Sequence, residues 1–280
     1  MTNTNDSEVK DASLLLARYG VEGMPAAGEL NDVLRHLLAH RTVRAYLPDP
    51  LPEDTFATLV AAAQSAPSSS NLQLWSVIAV EDAGCKARLS QVAGGQPHIE
   101  QAPLFLVWLA DLSRADRAGA ARGRAMEGCD YLESFVVAAI DAALAAQNAA
   151  IAAESMGLST CYIGALRNDP ERVAAELGLP PKAMAVFGMS VGRENPEKPA
   201  EIKPRLPQAL VAFRGRYAPH PSEKDLVAAY DETLAAFSRS QGMGDVNWSS
   251  RLLARMGSIK GLNGRERMRA MMQALGFELR

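Results

Sequence analysis

The chain has 280 residues, 48% hydrophobic and 22% charged, with a formal net charge of −3, as in an ordinary globular protein of one large or two small domains. The slight acidity argues against nucleic acid as the main partner. Three cysteines, Cys85, Cys129 and Cys161, share no CxxC spacing and suit free thiols in a reducing cytoplasm better than a disulfide framework.

Residues 1–27 read as a mobile N-terminal arm with room for a short helix over 14–18, and residues 28–280 as a single domain. The opening MTNTNDSEVKD is polar and has no apolar signal core. Leu30, Val33, Leu34, Leu37 and Leu38 recur at helical spacing and predict a helix running up to His40. After Pro48, Pro50 and Pro52, the run Pro52-Glu53-Asp54 opens a second helix that ends near Ala66-Pro67. Apolar runs predict strands over 75–80, 104–110, 160–163 and 184–191. A long Ala-rich helix over 131–156 lies between the second and third, with Gly157 as its stop signal. Asp141, Gln147 and Asn148 inside it argue against a membrane span and for a core or interface helix. A short helix is predicted over 170–177, a Pro-rich connection over 192–206, and helical patterns over 224–240 and 265–275. Mixed helices with few strands indicate an α+β fold rather than a regular βαβ series.

Two basic clusters stand out, His40-Arg41-Thr42-Val43-Arg44 and Lys203-Pro204-Arg205. The proline biases Lys203 toward extended backbone, where residues two apart share a face. Two cations so placed suit a phosphate, since Arg offers a planar fork and Lys a point charge; solvated surface charge is the plainer reading of either cluster alone. Gly188-Met189-Ser190-Val191-Gly192 matches the G-x-S-x-G pattern of a hydrolase nucleophile elbow. However, the charged, Pro-rich run that follows cannot form the helix this site needs. His36 and His40 have the i, i+4 spacing of a metal pair but lack a third ligand. There is no G-x-G-x-x-G, so a nicotinamide cofactor would not bind through a Rossmann fingerprint. The polar run Ser68-Ser69-Ser70-Asn71-Leu72-Gln73, Gly94-Gly95-Gln96 and Tyr162-Ile163-Gly164-Ala165-Leu166-Arg167 each suit a loop, or a polar rim open to a flat ligand.

In this order, HRTVR, SSSNLQ, GGQ, the helix DAALAAQNAAIAAESMGL, CYIGALR and KPRLP resemble the FMN-dependent nitroreductase family over about residues 35–235. The resemblance is greatest to the larger oxygen-insensitive nitroreductases and NADPH-flavin oxidoreductases. It implies an α/β sandwich with a central, mainly antiparallel sheet flanked by helices, in an interlocked homodimer with two FMN sites. It implies an NAD(P)H-dependent oxidoreductase that reduces nitroaromatics, quinones or flavins by ping-pong hydride transfer, with NADPH or NADH as donor. Neither nucleic acid nor membrane is an expected partner.

Carried over motif by motif, His40, Arg41, Thr42 and Arg44 would contact FMN, with Arg41, Lys203 and Arg205 on its phosphate. Arg44 would tune the flavin, and no dedicated acid or base is expected. Ser68, Ser69, Ser70 and Gln73 would reach the cofactor from the other subunit, and Gln96 would meet the ring's polar edge. Tyr162, Ile163, Gly164 and Ala165 would back the ring, with Leu166 and Arg167 alongside. The Ala-rich helix would form the dimer interface.

The arm before HRTVR is longer than this family usually carries, and Ala165 stands where a second glycine is more usual. Residues 241–247 lack the arginines that grip the 2′-phosphate in NADPH-preferring relatives. The alternatives are an FMN storage or sensor protein without rapid turnover, a flavin enzyme specific for one metabolite, and a serine hydrolase using Ser190.

Overall fold

The computed structural model describes residues 4–20 and 28–280; positions 1–3 and 21–27 of the expected arm lie outside the described residues. In chain order the helices before the first strand are α1 (Thr4–Tyr19), α2 (Asp32–Leu38) and α3 (Thr55–Gln64), followed by strand β1 (Trp75–Val80). Next come α4 (Ala83–Val92), α5 (Pro97–Gln101), β2 (Leu104–Asp111), α6 (Ser113–Ala120) and α7 (Leu132–Ser155). They are followed by β3 (Ser159–Ile163), α8 (Pro170–Leu177), β4 (Ala183–Gly192), α9 (Glu223–Ser240), α10 (Trp248–Met256) and α11 (Met268–Ala274).

All four expected strands are present. Helices α4, α5, α6 and α10 were not anticipated. Their sequences are short or thinly apolar, and α4 and α10 are started instead by side-chain caps: Asp82 accepts from the Cys85 N–H at 2.7 Å and Asn247 from the Ser250 N–H at 2.8 Å. Within the arm, α1 is a full helix of 16 residues, longer than the short segment expected over 14–18.

The chain divides into two compact units. The larger, Val43–Pro199 with Asn263–Arg280, holds a four-stranded sheet in the order β1-β2-β4-β3 with every neighbouring pair antiparallel. Strand β2 is buried at every position, which a near-continuous apolar run requires when both faces are covered. Leu104, Leu106, Trp108 and Ala110 face one core with α3 and the alanines of α7. Phe105, Val107 and Leu109 face the other with Leu89, Ile99, Leu166 and Val173.

Strand β4 carries a bulge opposite this line. Trp108 pairs with Phe187 while Leu109 pairs with Ala185, so Val186 has no partner across β2. An extra residue reverses the facing of everything beyond it. Met184 and Val186 therefore share one core with Met189 and Val191, although the two pairs differ in parity.

Helix α7 is long and apolar enough to cross a membrane by composition, but seven of its alanines, Ala138, Ala142, Ala145, Ala146, Ala149, Ala150 and Ala153, are buried in the core of this unit. Small side chains let it lie close to α3, to which Asn148 is tied by a 3.2 Å hydrogen bond to the Ala62 carbonyl. The Ala-rich helix was expected as a core or interface helix, and its alanine face packs within the chain. The apolar residues left exposed form another stripe at four-residue spacing: Leu132, Val136, Ile140 and Leu144.

The smaller unit, Met1–Thr42 with Ala200–Leu262, is helical. Asp11 on α1 pairs with Arg35 on α2 at 2.7 Å. The Asn31 side chain caps α2 on the Leu34 N–H at 2.9 Å. Helix α2 ends at Leu38, two residues earlier than expected, and a guanidinium from α1 takes the Leu38 carbonyl, one of the helix-end acceptors, at 2.7 Å. His40 lies beyond the helix, so His36 and His40 do not stack on one helical face.

Candidate functional site

In the larger unit, residues 43–47 run beside the sheet. The Val43 N–H donates to the Thr160 carbonyl at 3.2 Å, Leu47 N–H to Arg193 at 2.9 Å, and Asn195 N–H to Ala45 at 2.9 Å. Val43 and Tyr46 are buried, and the Tyr46 hydroxyl donates to the Val43 carbonyl at 2.8 Å. With its neighbours anchored inward, Arg44 is turned out and exposed. No carboxylate pairs with it among the described residues.

Behind this segment lies His98, 5% exposed, with Nε2 3.7 Å from the Cys161 sulfur. Burial, and then the Arg44 charge, push its imidazole down to about 4, so it is neutral near pH 7. Ser190 donates to the His98 carbonyl at 3.1 Å and is fully buried inside β4. That placement excludes a nucleophile elbow. The glycines of the G-x-S-x-G pattern have packing reasons instead. A Cβ on Gly188 would sit 2.3 Å from the Phe105 ring, and one on Gly192 would sit 2.8 Å from Pro103.

The serine loop is a built structure. Ser70, Asn71 and Gln73 all have positive φ (48°, 55° and 51°), a strained run for residues with side chains. Asp141 holds it. This carboxylate, 2% exposed on α7, accepts from the Ser68 hydroxyl at 2.8 Å, the Ser69 N–H at 3.1 Å and the Leu74 N–H at 3.1 Å. Ser68 in turn accepts from the Gln73 N–H at 2.7 Å. Asp141 is the sole charge between Glu133 and Glu154. That isolation was the available signal for its role, and sequence reasoning used it only against a membrane span.

Several of the remaining expected residues have internal partners. The Gln96 amide donates to the Ala93 carbonyl at 2.9 Å. Ile163 and Leu166 are buried in the core, so their side chains serve packing, and a ligand could meet only their backbone. Tyr162 is partly exposed and packs edge-on against Phe187, ring centroids 5.2 Å apart. Arg167 lies against Gly164, where a Cβ would come 3.2 Å from its guanidinium, and donates to the carbonyl of Val186, the residue the bulge leaves without a register partner on β2. Ala165 is partly buried against the same core as Leu166.

In the smaller unit, Arg205 and His40 line one cavity of about 470 Å3. Arg41 and Pro204 line another of about 610 Å3. The Arg205 guanidinium donates to the Lys203 and Pro204 carbonyls, at 3.1 and 3.3 Å, with no carboxylate partner among the described residues. Its charge is thus not neutralised there, as an anion site requires. The Lys203 ammonium lies over the Phe237 ring, 5.9 Å from its centroid. Thr42 is half-buried at the end of this unit.

Residues 37–193 match the nitroreductase family, and residues 203–280 match the nitroreductase family C-terminal domain. The chain belongs to the nitroreductase family. Its similarity to individual members spans nearly all of their length. An FMN reductase (NADPH) of Bacillus subtilis is 37% identical over 228 residues, 80% of this chain and 91% of that one. An NADPH-flavin oxidoreductase of Vibrio harveyi is 34% identical over 229 residues, 81% of this chain and 92% of that one. The Bacillus subtilis oxidoreductase YcnD superposes with a TM-score of 0.83 at 34% identity, covering 89% of this chain and 99% of that structure. The Vibrio harveyi NADPH:FMN oxidoreductase, solved with NAD+, gives 0.79 at 31% identity, covering 89% and 100%.

Proposed function

We propose that this protein is an NAD(P)H-dependent FMN oxidoreductase that reduces small-molecule acceptors, namely nitroaromatics, quinones or flavins. The observation that carries the reading is its likeness to FMN and NADPH-flavin reductases over about nine-tenths of their length, with both basic clusters present. FMN, when bound, supplies two-electron chemistry, taking hydride from NAD(P)H and giving it to an acceptor in a ping-pong cycle.

The residues present suit that group. Arg41, Lys203 and Arg205 offer three cations for a phosphate, and Arg205 keeps an unneutralised charge. Arg44 supplies positive charge that favours a reduced, anionic ring. His40 and Thr42 add donors from the same segment. Ser68, Ser69, Ser70 and Gln73 present polar groups on a loop that Asp141 holds in shape. Gln96 and the stretch Tyr162, Ile163, Gly164, Ala165, Leu166 and Arg167 offer backbone and polar edges to a flat ligand. No side chain needs to act as acid or base, since solvent can supply protons.

The functional unit in this reading is a homodimer. The exposed stripe Leu132, Val136, Ile140 and Leu144 on α7 supports it, because a contiguous apolar row facing water is costly for a monomer. The three free thiols suit a cytoplasmic setting. The visible spectrum of the purified protein, followed by anaerobic titration with NADH and NADPH, tests the proposal. Flavin bands that bleach rapidly are expected. Bands that persist would favour a passive FMN binder, and a colourless protein that takes up no FMN would refute the reading.

A further inference from the structure

Within the smaller unit, Arg18 near the C-terminal end of α1 is only 5% exposed. Its guanidinium donates to the Lys203 carbonyl at 2.8 Å from one terminal nitrogen. From the other it donates to the Leu38 carbonyl at 2.7 Å and the His40 carbonyl at 2.6 Å. Its own carbonyl accepts from the Arg205 N–H at 2.7 Å. One side chain therefore joins the main chains of both basic clusters, His40 and Lys203 being 163 positions apart in sequence.

The Lys203-Pro204-Arg205 segment needs such a partner. It lies in no helix or strand, so no ladder fixes its backbone. Proline has no N–H to offer. The Pro204 carbonyl is taken by the Tyr230 hydroxyl at 3.1 Å, and Arg18 serves the Lys203 carbonyl and the Arg205 N–H. Leu38 and His40 flank the end of α2, where carbonyls are left without helical partners. The planar fork of arginine reaches acceptors on both sides at once, which a lysine ammonium on its single stem does less well. Helix α1 is itself secured by the Asp11–Arg35 pair.

We propose that Arg18 is a positioning residue of the phosphate site: it sets the spacing of the His40-Arg41 and Lys203-Arg205 backbones, and so of the cations that receive the FMN phosphate. This rests on the FMN reading above. It also gives the long arm a role in cofactor affinity.

Riboflavin, which is FMN without its phosphate, separates a phosphate-specific effect from general damage. The test measures dissociation constants of FMN and riboflavin, by quenching of flavin fluorescence, for the wild type and for Arg18→Ala, Arg18→Lys and the double variant Lys203→Ala/Arg205→Ala. Urea unfolding of each apoprotein accompanies them.

The expected result is that Arg18→Ala weakens FMN binding by about tenfold or more, while riboflavin binding changes by less than about twofold, with Arg18→Lys in between. Unchanged FMN binding in Arg18→Ala would overturn the proposal. Equal losses for both flavins would also overturn it, since they would mark a general structural role. If Arg18→Ala does not fold, the comparison falls to Arg18→Lys with the same criteria. If the double variant keeps the wild-type preference for FMN over riboflavin, the phosphate assignment itself fails. If the double variant loses that preference but the Arg18 variants keep it, only the positioning role fails.

Discussion

Replacing Asp141 with alanine removes the one acceptor that three donors share. The Leu74 N–H is buried, and an orphaned buried donor costs about 1–3 kcal/mol. The Ser69 N–H lies at the surface and recovers a water, and the Ser68 hydroxyl can turn, so these two together add about 1 kcal/mol. Releasing the positive φ values at Ser70, Asn71 and Gln73 returns some strain and keeps the total near about 3 kcal/mol. Urea unfolding of the apoprotein measures it directly. Asp141→Asn keeps one acceptor oxygen and should cost roughly 1 kcal/mol less. Because the loop is proposed to reach FMN, the alanine variant should also bind FMN about tenfold more weakly. An alanine variant with the wild-type urea midpoint and FMN affinity would refute the argument that Asp141 holds the loop.

Four other outcomes are expected. His98 has its folded pKa lowered to about 4 from a usual 6.5, so folding favours the neutral ring. The resulting stability is fully present above pH 6.5 and is lost as pH falls toward 4, about 2–3 kcal/mol by pH 4.5. His98→Gln should show a correspondingly shallower acid loss in urea titrations at pH 7 and 4.5, and parallel losses would contradict the assignment. Arg44→Ala should slow flavin reduction in stopped-flow traces more than it weakens FMN binding, and an unchanged rate would remove its tuning role. Asp245 pairs with Arg239 on the segment expected to meet the nicotinamide nucleotide. Asp245→Asn should release that arginine and lower the KM for NADPH severalfold while leaving that for NADH unchanged, which steady-state kinetics with both donors would check. Ile140→Lys, in the middle of the exposed α7 stripe, should convert a dimer to monomers in sedimentation velocity; an unaltered dimer would place the interface elsewhere.

What the sequence determined by itself was local. Apolar runs gave all four strands within a residue, and α8, predicted over 170–177, is observed at Pro170–Leu177. The order of HRTVR, SSSNLQ, CYIGALR and KPR was enough to point to the family, because covalent order survives divergence. The strand pairing, the bulge at Val186 and the reason Gly188 must lack a side chain belong to tertiary structure, since each depends on a partner strand or side chain far away in sequence. Asp141 lies 67–73 residues from the donors it holds, and Arg18 lies 185 residues from Lys203. A buried charge announces that it needs partners, but its partners are set by packing. Only the folded chain could decide that the alanines of α7 face inward, that Ser190 is sealed in β4, and that a helix in the arm joins the two basic clusters.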